Sequence, residues 1–250
     1  MEQVHFALAQ LESHGPESCE FSTWKLYNSG NFFDRKAIHE DAASKIGALA
    51  NEYCERSKLR RLIVECHPKL VGETCFQFSR ETLPRLEVAM GLETVHPKVL
   101  SRLNKQMTLD DFKRSTELLL ENSIDVRAFI LLRTPWMSEN DGIEWALRSV
   151  EWAFSIGVQC CAVIPTRKGN GILDRLEQMG EFEEPNLSSL ELVQKQGLEL
   201  STLGQRMFVD DWDAHRFSNC SDCEEERIHR IQEINLSQEL LPEVQCHRCS

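Results

Sequence analysis

Four cysteines near the end of the chain carry the most specific chemical signal. Cys220 and Cys223 form one Cys-x-x-Cys pair and Cys246 and Cys249 a second, with 22 residues between them. Each such knuckle offers two sulfurs about one turn apart, and two knuckles together supply the four thiolates that surround one tetrahedral metal ion. Zinc is the expected metal, an iron–sulfur cluster is the alternative, and a metal-free tail is the third reading. His229 and His247 stand close by in sequence and are read as bystanders.

The other cysteines read differently. Cys160 and Cys161 are adjacent in the apolar run GVQCCAVIP, so on a strand they face opposite sides and cannot share a site. Cys54, Cys66 and Cys75 are scattered singly, Cys19 lies in an expected loop, and each reads as a small structural hydrophobe. The start, MEQVHFALAQLESHG, has neither a basic opening nor an unbroken apolar core, so it is read as no export signal, which argues against a disulfide scaffold.

A second chemical candidate is the stretch RLEVAMGLET, where a buried strand is expected to stop at Gly91-Leu92-Glu93 and hand over to two helical segments. In a parallel α/β barrel the loops after the strands' C-terminal ends build the site, so Glu93 stands where a ligand-binding acid would. An ordinary turn glycine followed by a solvated Glu is the bland alternative.

The elements that position these residues follow from periodicity. Short apolar runs at 24–29, 61–66, 85–90, 126–132 and 158–164 read as strands. Amphipathic stretches at 38–57, 109–122 and 139–155 read as helices, the last entered at Ser138 and left at Gly157. Thr108 with Asp110 and Asp111 reads as a cap and a dipole-matched first turn. Near-continuous apolar strands alternating with helices imply a parallel sheet joined by right-handed crossovers, an α/β partial or full barrel. Beyond 177 the acidic EQMGEFEEPN reads as a solvated loop, followed by a helix at 188–203 and a short strand at 206–211. The expected division is a barrel portion, 1–205, and a C-terminal extension, 206–250.

Composition bounds the function. The 250 residues carry 28 Lys plus Arg against 40 Asp plus Glu, a net charge of −12, so any nucleic-acid contact must be local. RSKLRR at 56–61 and Arg102, Lys105, Lys113 and Arg114 are candidate phosphate contacts that solvated helix faces explain as well. With no apolar run long enough to span a bilayer, a soluble cytoplasmic protein is expected.

The order KLYNSGNFFD, LIVECHP, LEVAMGLET with VLSRLNKQMTLDDF, VRAFILLRTPWMSE and VIPTRKGNG resembles the radical S-adenosylmethionine core of the Elp3-like type. It is most similar to the branch containing the radical subunit of archaeosine synthase, whose C-terminal end the tail from FSNCSDC to CHRC also resembles. The resemblance implies a TIM-like barrel that binds S-adenosylmethionine and cleaves it reductively to a 5′-deoxyadenosyl radical, with a modified tRNA base as substrate. It implies cofactor contacts at Asn28, Ser29 and Gly30 under the methionine end, at Gly91 and Glu93 facing the ribose and amino-acid portion, and at Glu65. Arg133 and Thr134, and Pro165, Thr166 and Lys168, end the next strands, and there an Arg or Lys would meet the cofactor's carboxylate.

One departure from that family stands out. Its CxxxCxxC loop, whose thiolates hold three irons of a [4Fe–4S] cluster, has no counterpart here. The expectation is therefore a barrel lacking its first strand and cluster loop, completed by an upstream or split segment. The competing expectation is a noncatalytic derivative that binds a metal and a partner.

Overall fold

A computed structural model describes residues 2–13, 22–27, 31–56 and 59–249 of the chain. Six strands make one sheet in the order β1-β2-β3-β4-β5-β6: β1 (Thr23–Leu26), β2 (Arg61–Glu65), β3 (Arg85–Glu93), β4 (Asp125–Leu132), β5 (Cys160–Pro165) and β6 (Arg206–Val209). The strands are parallel, with Thr23 opposite Arg61, Arg61 opposite Arg85, and Cys160 opposite Arg206. A strand order that never reverses is singly wound. It is the connectivity of a (β/α) barrel rather than of a doubly wound sheet, whose order switches direction part-way.

Helices fill the crossovers. After α1 (Glu2–Ser13), α2 (Glu40–Arg56) joins β1 to β2, and α3 (Glu73–Glu81) joins β2 to β3. α4 (Pro97–Arg102) and α5 (Leu109–Glu121) lead to β4, α6 (Glu139–Ser155) leads to β5, and α7 (Ile172–Gln178) and α8 (Leu187–Leu200) lead to β6. α9 (Glu224–Ser237) follows. α6 starts and stops where its sequence says. Ser138 Oγ accepts from Asp141 N at 3.2 Å and Asp141 returns a bond to the Ser138 amide, while Gly157 takes a φ of 94° that side chains resist.

The chain clusters into two compact units, one of Met1–Met90 with Asp110–Arg127, the other of Gly91–Leu109 with Ala128–Ser250. In the first, Leu62, Ile63, Val64 and Val88 are fully buried, and Phe32 packs on Phe78. The N-terminal ends of its strands carry a buried ionic cluster. Glu87 accepts from Arg127 Nε at 2.6 Å and from Arg61 at 2.8 Å, and Asp125 pairs with Arg61 and Arg85. The alternation Arg85-x-Glu87 and Asp125-x-Arg127 puts all four side chains on one face. In the second unit Cys160 and Cys161 are both fully buried, as two opposite faces covered by packing require.

Three sequence expectations are refined. β3 extends past the apolar run at 85–90 to end at Glu93, the stop expected at Gly91-Leu92-Glu93, with Leu92 fully buried and Glu93 in a left-handed φ of 64°. The acidic stretch at 177–186 is a solvated loop only in part: Gln178, Met179, Gly180 and Glu183 are exposed, but α7 occupies its start, Phe182 is buried, and Glu183 and Glu184 find arginines far away in sequence. β6 is shorter than 206–211, and it joins the sheet beside β5, so the expected boundary at 206 coincides with the start of a paired strand.

Candidate functional site

Local hydrogen bonds close the loops after β2 and β3. After β2, Asn31 accepts from the His67 amide, and His67 Nδ1 accepts from Lys69 N at 3.2 Å. After β3, Thr94 Oγ1 accepts from His96 N at 3.1 Å, and His96 Nδ1 accepts from Lys98 N at 3.2 Å and Val99 N at 3.3 Å, capping α4. The same tripeptide, His-Pro-Lys, occurs at 67–69 and 96–98. Proline at the first helical position leaves the imidazole to satisfy the next free amides. This repeat was visible in the sequence and is the signal that would have identified both loops.

Glu93 is nearly buried and meets Lys105 Nζ at 2.7 Å. Gly91 explains how it fits. A Cβ on Gly91 would stand 2.3 Å from Glu93 Oε1, so the missing side chain makes room for the carboxylate of its own strand. Glu65, in the other unit, is half-buried at the end of β2, and its carbonyl accepts from Phe32 N at 2.8 Å.

The loops after β4 and β5 converge on residues 181–184. Arg133, held in a left-handed conformation with φ of 54°, donates to Glu139 at 2.6 Å, to the Glu184 carbonyl at 2.7 Å and to Glu183. Thr166 Oγ1 donates to the Leu132 carbonyl at 2.9 Å, which ties the end of β5 to the end of β4. The Lys168 amide donates to Glu184 at 2.8 Å, and its ammonium meets Glu177 at 2.7 Å, which holds the Lys168 pKa above its ordinary value. Trp136 Nε1 donates to Glu181 at 2.7 Å while Arg102 lies 3.5 Å over the Trp136 ring. The structure thus brings Arg133, Thr134, Pro165, Thr166 and Lys168 together, with Arg133 and Lys168 already facing carboxylates. Arg167, which sequence reasoning passed over, bonds Asp210 at 2.8 Å and the Trp212 carbonyl at 2.6 Å. Asn28, Ser29 and Gly30, like Cys19 and the Ser57-Lys58 part of the basic run, lie outside the described residues.

The four C-terminal cysteines form a second site. Cys223 is the N-cap of α9, and Cys220 and Cys223 are buried while Cys249 is exposed. Cys220 Sγ lies 3.9 Å from Cys246 Sγ and Cys223 Sγ 3.5 Å from Cys249 Sγ, and all four sulfurs lie within 4.8 Å of one another. A metal–sulfur bond of about 2.3 Å in a tetrahedron puts sulfurs about 3.8 Å apart, so the spacing fits one metal ion held by four thiolates. A cluster in which each thiolate binds a different iron spreads its sulfurs farther. The backbone N–H groups of Arg248 and Cys249 hold the Cys246 thiol down at about 7, whereas burial pushes Cys223 up. The cysteines form one wall of a cavity of about 620 Å³ that α8 and the tail also line. For a [4Fe–4S] centre of the radical type, the ten cysteines of this chain include no CxxxCxxC and do not supply its ligands.

Singly wound parallel strands with loops at their C-terminal ends define the class: the chain folds as a partial TIM-like barrel, and its relatives and structural neighbours support a radical SAM-like core. It is similar in fold to Elp3 of Methanocaldococcus infernus, with a TM-score of 0.68 at 15% identity over 92% of this chain and 57% of that one. Methylornithine synthase matches with a TM-score of 0.53 at 15% identity over 75% of this chain and 50% of that one. In sequence the chain is similar to archaeosine synthase subunit beta of Methanosarcina acetivorans, 27% identical over 192 residues that cover 73% of this chain and 54% of the relative. The protein of the same name in Thermococcus kodakarensis is 28% identical over 174 residues, 66% of this chain and 51% of that one. This chain spans about half the length of these two relatives. No family model matches it, and no described helix is long and apolar enough to cross a membrane.

Proposed function

We propose that this chain is the barrel portion of a cytoplasmic radical SAM-type protein of tRNA modification. In this reading it lines an S-adenosylmethionine site and works with a segment or subunit that carries the CxxxCxxC cluster. The observation that carries the reading is the Elp3 match over 92% of the chain, joined to two relatives named as archaeosine synthase beta subunits. Asn28, Ser29, Gly30, Glu65, Gly91, Glu93, Arg133, Thr134, Pro165, Thr166 and Lys168 are the proposed cofactor contacts. Glu93 would accept hydrogen bonds from ribose hydroxyls or an ammonium. Arg133 would reach a carboxylate by exchanging Glu183, which is 73% exposed and so the partner easiest to release. The four C-terminal cysteines are proposed to hold a structural zinc ion, which the sulfur spacing favours over a multi-iron cluster.

The missing cluster motif favours a second reading, a noncatalytic radical SAM-like subunit that binds zinc and a partner protein. One experiment separates the two. The chain is reconstituted anaerobically with iron and sulfide, alone and together with a CxxxCxxC-bearing segment from one of the beta-subunit relatives, and 5′-deoxyadenosine is measured. The first reading expects none from the chain alone and turnover from the combination. No 5′-deoxyadenosine from a combination that does load a cluster supports the noncatalytic reading.

A further inference from the structure

β6 is the last strand in the sheet order, so one of its edges faces away from β5. The amides of Arg206 and Asp210 bond the β5 side, to the Gln159 carbonyl at 2.9 Å and the Val163 carbonyl at 2.8 Å. The amides of Met207 and Val209 point the other way, and a free edge of that kind invites pairing with another chain. Here the side-chain amides of Asn235 on α9 and of Gln238, its C-cap, take the place of a strand. Asn235 accepts from Val209 N at 3.1 Å and donates to the Val209 carbonyl at 2.8 Å. Gln238 accepts from Met207 N at 2.8 Å and donates to the Met207 carbonyl at 3.0 Å. Alternate strand residues lie about 6.6 Å apart, and residues three apart on a helix rise about 4.5 Å. The longer Gln side chain makes up the difference.

The helix that delivers this pair is tied to the cysteine centre at its other end. Cys223 caps its N-terminus, and Arg230 in its middle donates to the Leu241 carbonyl at 2.9 Å and the Pro242 carbonyl at 2.7 Å, which lays the tail back along α9. That return brings Cys246 and Cys249 to Cys220 and Cys223, so a metal there closes a loop around α9. We propose that the four-cysteine centre is a clasp that holds α9 in register as the cover of the β6 edge, so that losing the metal opens this edge to exchange. The inference rests on the reading of the four cysteines as a zinc site.

Hydrogen exchange read at single amides, on protein with zinc and after chelation, tests it. With zinc at roughly 100 times its dissociation constant, linkage slows exchange at Met207 and Val209 by about 100-fold relative to the zinc-free protein. The Asn235→Ala/Gln238→Ala variant keeps all four cysteines and should exchange fast at both amides even with zinc bound. Arg206 and Asp210, whose amides bond β5, should stay protected in that variant and report that it is folded. Metal analysis on the same samples separates the failures. Protein that binds no zinc overturns the metal reading and the clasp with it. Protein that binds one zinc yet protects Met207 and Val209 equally with and without it overturns the clasp alone.

Discussion

Removing Glu87 should be the most damaging single change in the first compact unit. The carboxylate is fully buried, and it lies 2.6 Å from Arg127 Nε and 2.8 Å from an Arg61 nitrogen. At an effective dielectric of about 20, each such attraction is worth roughly 4 kcal/mol before desolvation. Desolvation takes back much of that when the pair forms, but not when one partner is deleted, because the buried arginines lose half of their counter-charge. Breaking a buried pair this way costs about 3 to 5 kcal/mol. Glu87→Leu should therefore lower the melting temperature by roughly 6 to 20 °C for a chain of this size. Glu87→Gln, which keeps one of the two acceptor oxygens and loses the charge, should fall between. The assay is denaturant unfolding of both variants, of Arg127→Met and of Glu87→Leu/Arg127→Met, which removes the buried guanidinium as well. The reasoning is refuted if Glu87→Leu costs less than about 1 kcal/mol, or if the double variant is no more stable than the sum of its single changes.

Three further outcomes are expected. Protein purified under reducing conditions should carry about one zinc per chain, and Cys223→Ser/Cys249→Ser should abolish it, as metal analysis would report; iron with sulfide at the same cysteines would reject the assignment. A Cβ at Gly142 would stand 2.8 Å from Arg133 Cα, so Gly142→Ala must push α6 off the end of β4, at a cost of about 1 to 3 kcal/mol in denaturant melts. Phe182 anchors the glutamates at 181–184 by burying its ring, so Phe182→Ala should cost about 3 to 5 kcal/mol, whereas a loosely held loop would lose almost nothing.

What the sequence revealed and what it hid divide along the range of the interactions. α6 was legible to the residue, because Ser138, Asp141 and Gly157 are local signals acting within one turn. The strands were legible because their apolar runs are nearly continuous, and the cysteine centre because its spacing is itself local. The acidic stretch was misread in part since Glu181, Glu183 and Glu184 look solvated until Trp136, Arg133 and Arg216 arrive from elsewhere in the chain. The end of β3 at Gly91-Leu92-Glu93 was legible, but not that Gly91 serves the carboxylate two residues on. α9 was passed over, although three glutamates followed by Ile228, Ile231 and Ile234 are a dipole-matched start and a buried stripe.

The two His-Pro-Lys turns fix the tautomers of their rings. Each Nδ1 accepts from a backbone N–H, at 3.2 Å for His67 and at 3.2 and 3.3 Å for His96. A hydrogen on Nδ1 would point into those amides, so each neutral imidazole carries it on Nε2. In that neutral form each ring keeps one nitrogen that gives a hydrogen bond and none that takes another. A neutral imidazole held this way offers a nitrogen lone pair to a metal only by giving up its cap. Whatever meets Nε2 of either ring must accept a hydrogen bond.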